Sequence, residues 1–395
     1  MIEHKDIVIS GGGIAGLVAA VAFGNAGLDV LCVEPTSPIL AKNTPAADLR
    51  TTAYLQPSQA FLQEIGVWPL VEIYSTPLQV MRVVDAANAD LVIKDFNARD
   101  ISAAPFGWNV GNWHMRDALL ERINTLSNVV FVPGLASTKV NTRSSGARVT
   151  MSDGQIIICK LLIAADGRDS TIRSSAGIAA KSTDFGQLAL SFAVTHAMAH
   201  KNISTEVHKA GGPFTLIPLP DFEGKPSSAV VWMDKVANIQ EMQVLEVDEF
   251  NTKITARSAS VLGRLNLVTA RTAWPIISQL ADRFYSERIA LIAEAAHVVP
   301  PIGAQGLNLS LGDIKTLLQL VEASPNTIGD AIMLKKYHRA RRPLAQSRVI
   351  GVGMLNSASK AEGQIVTRTR AIGLEAIHRI EPLRKALMHI GLGSR

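Results

Sequence analysis

The opening stretch of the chain changes its hydrophobic period twice. Ile7-Val8-Ile9 is an unbroken apolar run, as in a strand buried on both faces. Gly11-Gly12-Gly13-Ile14-Ala15-Gly16 interrupts it. Leu17 to Ala26, rich in Ala and Val, then predicts a close-packed helix ended by Gly27. Val30 to Val33 is a second apolar run and stops at Glu34. Strand, turn, helix and strand in this order predict a βαβ unit on a parallel sheet.

Further on, residues 37–50 are polar and proline-bearing and read as a loop, and Ser58 to Trp68 has helical spacing. Residues 77–95 alternate apolar and polar, so strands are expected. Met115 to Leu126 predicts an amphipathic helix with Leu119, Leu120, Ile123 and Leu126 on one side. Val129–Val132, Ala147–Met151 and Ile156–Ile158 read as strands, with a turn at Asp153-Gly154. Leu161 to Ala165 is a buried strand ending at Asp166-Gly167. Between 181 and 275 the texture becomes alternating, at 188–195, 214–219 and 229–233, which predicts an antiparallel layer. Buried-strand character returns at 288–293, a helix follows at 307–323, and the chain from 329 is helical.

The expected fold is α/β: a Rossmann-like domain with an inserted, mostly antiparallel β-sheet domain and a helical C-terminus. Residues 1–76, 98–180 and 276–345 are assigned to a dinucleotide-binding domain, 77–97 and 181–275 to the sheet domain, and 346–395 to basic C-terminal helices.

Composition narrows the class. With 395 residues, 47% apolar and a net charge of only +5, intrinsic disorder is excluded as the main state. The charge is uneven: residues 335–395 hold 13 Lys and Arg against 3 Asp and Glu, a net of +10, so the rest carries −5. No nucleic-acid partner is read from so local an excess. Cys32 and Cys159, both in apolar runs, cannot staple a chain this long and read as small buried hydrophobes. No run of 18 apolar residues predicts a membrane-crossing helix. Ile7 to Ala26 imitates a signal peptide, but its leader is near neutral and glycines break its core. A cytoplasmic location is expected, peripheral on the inner face of the membrane if the basic end touches lipid.

The chemistry begins at Gly11-x-Gly13-x-x-Gly16. Gly11 permits the tight turn, Gly13 lets a diphosphate approach the backbone, and Gly16 lets helix and strand pack closely. With Ile14 and Ala15 they open a helix whose free N–H groups attract a diphosphate. Glu34, 18 positions past Gly16, can accept from both ribose hydroxyls and repels a 2′-phosphate, so FAD or NAD is expected there rather than NADP.

Two further segments carry a resemblance. One is Ala164 to Arg173, with Asp166-Gly167-Arg168-Asp169. The other is Glu294-Ala295-Ala296-His297-Val298-Val299-Pro300-Pro301-Ile302-Gly303-Ala304-Gln305-Gly306-Leu307-Asn308. With the glycine motif, in this order, the chain resembles the flavoprotein aromatic hydroxylases of the para-hydroxybenzoate hydroxylase type over nearly its full length. Gly212-Pro213-Phe214 through Pro220, Val230-Val231-Trp232 and Arg370 to Gly391 are similar to the ubiquinone-biosynthesis branch.

The resemblance implies roles. Gly11, Gly13, Gly16 and Glu34 would hold the ADP half of FAD. Arg50, in the loop with Asp48, would lie near the flavin and diphosphate, and Arg116 near the ribitol or diphosphate. Asp166 and Gly167 are tied to FAD and nicotinamide, and Glu294 to a ribitol hydroxyl. Pro300, Pro301 and Gly303 would lie near the flavin ring, with Gly303, Gln305, Gly306, Leu307 and Asn308 along its pyrimidine edge. The helix from about Leu307 would aim its positive end at the anionic reduced flavin.

The implied activity is monooxygenation of a phenol, prenylated in the ubiquinone branch, with NAD(P)H as electron donor, O2 as co-substrate and a flavin C4a-hydroperoxide as oxidant. Membership of a quinone-biosynthesis complex is a further expected partnership. Strands at 188–194, 214–219 and 229–233 would wall the substrate pocket. The pattern is broken at Ala293-Glu294, where the family carries Gly-Asp: a methyl crowds the backbone and the acid is one methylene longer. That departure motivates one alternative, a non-catalytic or weakly flavin-binding partner in a quinone-biosynthesis complex; another is a flavin reductase or dehydrogenase on the same fold.

Other residues have plainer readings. His297 is read as a hydrogen-bonded structural histidine, not a base. His196 and His200 do not read as metal ligands, and no metal is expected. Arg168 and Arg173 stay open between nicotinamide contact and simple solvation, and the aromatic residues at 106–113 read as packing. Leu374, Ile377, Ile380 and Leu383, near Arg379, Arg384 and Lys385, allow a membrane-facing helix.

Overall fold

The computed structural model describes residues 2–37, 50–86, 91–209, 211–360 and 378–392. Four parallel pairings build the first sheet, in the order Ile289–Leu291, Ile156–Ala164, Ile2–Ser10, Val30–Glu34, Val129–Pro133. Tyr285–Ser286 and the hairpin Ser137–Arg143/Gly146–Met151 add antiparallel edges. The expected βαβ unit is present, with the helix Ile14–Asn25 crossing from the first strand to the second. Ile7, Val8, Ile9, Val30, Cys32 and Val33 are fully buried, which is why these strands read as continuous apolar runs. Burial holds both thiols protonated, Cys159 being pushed up to about 12 and Cys32 higher still.

The second sheet has nine strands. Thr272–Ala281, Ala180–His196, Lys225–Lys235 and Gly212–Phe222 are consecutive antiparallel neighbours. Ile203–Lys209 then pairs in parallel with Val80–Asp85, which brings Val92–Asn97 to the edge. Segments some 120 residues apart in sequence thus share one sheet. Thr51–Leu55, Gly107–Gly111 and Thr76–Leu78 form a third, small sheet.

Two helices in this region were not legible in the alternating pattern of 181–275: Val236–Val244 and Val247–Arg257. They cover one face of the second sheet, where Ile239, Met242, Phe250 and Ile254 pack on Leu190, Phe192, Val194, Phe214, Leu216, Val230 and Trp232. Each such large side chain contributes about 1.5–3 kcal/mol on full burial. The long helices are Gln305–Ala323 and Ala331–Lys360, and Glu381–Leu392 follows near the C-terminus. The fold is α/β, with a Rossmann-like sheet, an inserted and mostly antiparallel sheet, and a helical C-terminal region. Thr272–Ala281 and Ala331–Lys360 run unbroken across 275/276 and 345/346.

Candidate functional site: a dinucleotide cradle facing the second sheet

The glycines divide by what surrounds them. Gly11 has φ +110°, and a Cβ there would stand 2.3 Å from the Ala165 carbonyl oxygen. A Cβ on Gly16 would stand 1.8 Å from the Gly11 oxygen. Both positions therefore require glycine for packing alone. Gly13 differs: its φ is ordinary, nothing lies within 4 Å of where its Cβ would be, and it is exposed. It begins the helix Ile14–Asn25 with no side-chain cap. Open space in front of uncapped helix N–H groups fits an anion such as the diphosphate of FAD.

Glu34 ends the neighbouring strand, and its Oε2 accepts from the Gly12 N–H at 2.6 Å. The carboxylate therefore stands beside the glycine loop, where a ribose would follow a diphosphate. Oε1 accepts from the Thr36 N–H at 3.3 Å.

The Asp166 turn lies against the same loop, its backbone N 2.9 Å from the Cβ position of Gly11. Its carboxylate is committed locally, accepting from Ser170 Oγ at 2.5 Å, Thr171 Oγ1 at 3.3 Å and the Ile172 N–H at 3.1 Å. Of the two arginines left open by the sequence, Arg173 is neither solvated nor turned to solvent. It is buried, donating to the Ala295 carbonyl at 3.0 Å and the Arg168 carbonyl at 2.8 Å. It rivets the Asp166 turn to the Ala293–Ala296 turn because a guanidinium can span two carbonyls at once. Arg168 approaches Glu294 at 3.8 Å, with both side chains partly exposed.

The Ala293–Glu294 departure has a visible cost. Ala293 has φ +54°, in the left-handed region that favours glycine. Glu294 nevertheless stands at the site, 55% exposed.

The helix of 307–323 begins two residues earlier than expected, at Gln305, after Ala304 in a left-handed conformation and with no side-chain cap. Asn308 locks its start: Nδ2 donates to the Ala53 carbonyl at 2.8 Å and Oδ1 accepts from the Leu55 N–H at 2.9 Å. This ties the segment to the strand that follows Arg50. The helix also packs against Ile14–Asn25. Arg50 accepts at its carbonyl from the Asn112 N–H at 2.9 Å, at the start of the helix that carries Arg116. Gly11, Glu34, Arg50, Arg116, Asp166, Glu294 and 303–308 therefore sit on elements tied to one another. Asp48 lies outside the described residues.

Beneath the 297–308 segment is a buried ionic group. His297 Nε2 pairs with Asp313 Oδ2 at 2.5 Å, and Arg341 Nε donates to Asp313 Oδ1 at 2.7 Å. His297 is thus held in the structural manner expected. Burial would raise the Asp313 pKa, but facing His297 and Arg341 hold it below the usual carboxylate range. His196 pairs with the Met198 carbonyl and Ser228 Oγ, and His200 with the Leu219 carbonyl and the Asn202 N–H. Among 106–113, Phe106 is core and Trp108 packs edge-on to Trp68 at 5.6 Å.

The cradle meets the second sheet at Ile302. That side chain packs against the cluster of Ala189, Met233 and Ile276, as do Val231 and Trp274. The Arg50 guanidinium lies over the Trp274 ring at 5.4 Å. Of the three strand segments expected to wall a pocket, Leu190, Phe192, Phe214, Leu216, Val230 and Trp232 point to the two unforeseen helices, while Ala189, Val231 and Met233 belong to the cluster at Ile302. The strand Thr272–Ala281 supplies Trp274 and Ile276 to this wall and was missed. Its signal was the alternation Trp274-Pro275-Ile276.

A carboxylate beside the glycine loop, an uncapped helix start and an apolar cluster at Ile302 are the features of a flavoprotein of the dinucleotide-binding α/β class. The chain belongs to the FAD-binding domain family, whose model matches residues 4–350. It is 29% identical to the ubiquinone hydroxylase UbiL of Rhodospirillum rubrum over 392 residues, covering 98% of this chain and 90% of that one. It is 28% identical to the ubiquinone hydroxylase UbiM of Neisseria meningitidis, covering 97% and 84%. The p-nitrophenol 4-monooxygenase PnpA of Pseudomonas putida has the same fold, with a TM-score of 0.81 at 17% identity, covering 100% of this chain and 99% of that one.

Proposed function

We propose that the protein is an FAD-dependent monooxygenase that hydroxylates the ring of a prenylated phenol in ubiquinone biosynthesis, using NAD(P)H and O2. The observation that carries this reading is the meeting at Ile302, where the loop before an uncapped helix closes on the apolar face of Trp274, Met233 and Ile276. FAD, when bound, supplies reduction by NAD(P)H and activation of O2. Gly13 and the helix start behind it would take the diphosphate, and Glu34 the ribose. Ile14, Ala15, Arg50, Arg116, the Asp166 turn and Glu294 would line the rest of the cofactor's path. Pro300, Pro301, Gly303, Gln305, Gly306, Leu307 and Asn308 would flank the ring. The apolar wall keeps water from the reacting centre, and Arg50 over Trp274 adds a fixed positive charge beside it.

In this reading the parallel sheet and its helices, in 1–76, 98–180 and 276–345, serve the cofactor. The second sheet, in 77–97 and 181–275 with the rest of the strand Thr272–Ala281, would serve the substrate, and the helices described within 346–395 would be peripheral. Ile380, Leu383, Leu387 and Ile390 are 40–58% exposed, beside Arg379, Arg384 and Lys385. That stripe supports peripheral contact with the inner face of the membrane. Leu374 and Ile377 lie outside the described residues. A quinone-biosynthesis complex would be the natural setting of such a protein.

The test is reconstitution. Purified protein should turn yellow with FAD, oxidise NAD(P)H faster when a prenylated phenol is added, and place one atom of labelled O2 in the product. Failure to take up FAD favours the non-catalytic partner. Oxidation without oxygen insertion favours a reductase or dehydrogenase.

A further inference from the structure

We infer that the cleft between the second sheet and the helix Ala331–Lys360 receives the isoprenoid tail of the substrate while the ring is held at Ile302. This rests on the reading of the protein as a hydroxylase of a prenylated phenol.

The cleft has a volume of about 480 Å³, and Phe185, Ser278, Val349, Ile350, Gly353 and Met354 are among its walls. Among the described residues no charged side chain lines it. Its polar groups are hydroxyls, so it suits a chain that neither donates nor accepts hydrogen bonds.

Its inner wall borders the cluster on which Ile302 packs. Phe185 forms part of the cleft wall and also packs in the cluster of Ala189, Met233 and Ile276 with Trp274 and Ile302. An apolar chain seated against Phe185 therefore lies one side-chain layer from the cluster that Ile302 covers. Lys360 Nζ donates to the Phe185 carbonyl at 2.6 Å.

The outer end is apolar too. Ile350 is 54% and Met354 68% exposed at the mouth. Large side chains left in water beside an apolar cleft gain by covering a hydrophobic ligand that enters between them. Gly353 stands on the cleft wall opposite Phe185. Its Cβ position faces Phe185 Cζ at 3.5 Å and Ser278 Oγ at 3.8 Å, so a large side chain there would grow into the cleft. The helix itself would accept a larger residue, because glycine is a weak helix former.

The test compares one phenol bearing a four-unit isoprenoid chain with the same phenol bearing a single unit, on FAD-loaded full-length protein. Gly353→Phe is expected to raise KM for the long-chain phenol about tenfold or more, the loss of a few buried methylenes. The kcat for both phenols, KM for the short one and FAD content should stay within about twofold. Met354→Glu, an exposed position, is expected to move long-chain KM in the same direction. Ile332→Glu, on the same helix, 73% exposed and outside the cleft lining, should move neither. Long-chain KM unchanged in a folded, yellow Gly353→Phe protein overturns the tail assignment, as does an equal loss for both phenols. Should Gly353→Phe not fold, Met354→Glu decides alone: no selective effect overturns the assignment. A wild-type protein that hydroxylates neither phenol instead defeats the hydroxylase reading on which this rests.

Discussion

Ala293 is a single methyl in a backbone conformation that L-residues pay about 1–2 kcal/mol to adopt. Ala293→Gly should therefore stabilise the protein by about 1 kcal/mol, read as a higher denaturant midpoint without a change in slope. No gain would mean that the methyl earns its place through packing, since Ala293 is buried. The glycine loop offers a sharper contrast. Gly16→Ala forces a Cβ into the Gly11 carbonyl and should destabilise the folded chain outright. Gly13→Ala meets nothing and keeps an allowed backbone, so it should melt like the wild type while FAD titration shows a Kd raised about tenfold. Equal FAD affinity in the two folded proteins would move the diphosphate elsewhere. The roles of Gly11 and Gly16 were legible in the motif because close packing recurs wherever this turn does. The strain at Ala293 was legible only as a missing glycine.

At the scale of elements, the His297–Asp313–Arg341 group joins the cofactor loop to two long helices. Asp313 is wholly buried, and Arg341 also donates to the Leu309 carbonyl at 2.9 Å. Asp313→Asn leaves the largely buried Arg341 guanidinium without its counter-charge and should cost about 3–5 kcal/mol. The carboxyl titrates lower in the folded than in the unfolded chain. Its stabilisation is therefore complete above its ordinary value of 3.8 and is lost as pH falls through the lowered folded value. Acid unfolding followed by circular dichroism should show this loss in the wild type and not in Asp313→Asn. The parallel strands and the helix Ile14–Asn25 were readable because burial on both faces leaves continuous apolar runs. Val236–Val244 and Val247–Arg257 were not, because their apolar residues are spaced among charges such as Asp248 and Glu249 that the eye assigns to loops. Those helices also explain why the strand residues expected to line a pocket split between two faces.

Across the whole molecule, the C-terminal helix is fastened at its end to the cofactor side. Gln305 Nε2 donates to the Gly391 carbonyl at 3.0 Å, and Arg348 donates to the Ile390 carbonyl at 2.6 Å. Its free face is the stripe of Leu383, Leu387 and Ile390. Co-sedimentation with vesicles containing anionic lipid should be measurable, weaker at high salt and weaker for Leu387→Glu. Equal sedimentation with neutral vesicles at any salt would remove the electrostatic part of this reading. Among the described residues no helix is long and apolar enough to cross a membrane.

Short-range order decided the glycine turn, the acid that ends the next strand and the alternation of parallel strand and helix, and all of these could be read in the sequence because each depends on neighbours a few residues away. Tertiary structure alone decided which face of the second sheet meets the cofactor loop, that Arg50 stacks on Trp274, that Asn308 bonds back to Ala53 and Leu55 across some 250 residues, and that Arg173 is a buried rivet. Period-two alternation marks two faces without saying what covers either, and a polar side chain's partner is chosen by whichever segment packs against it.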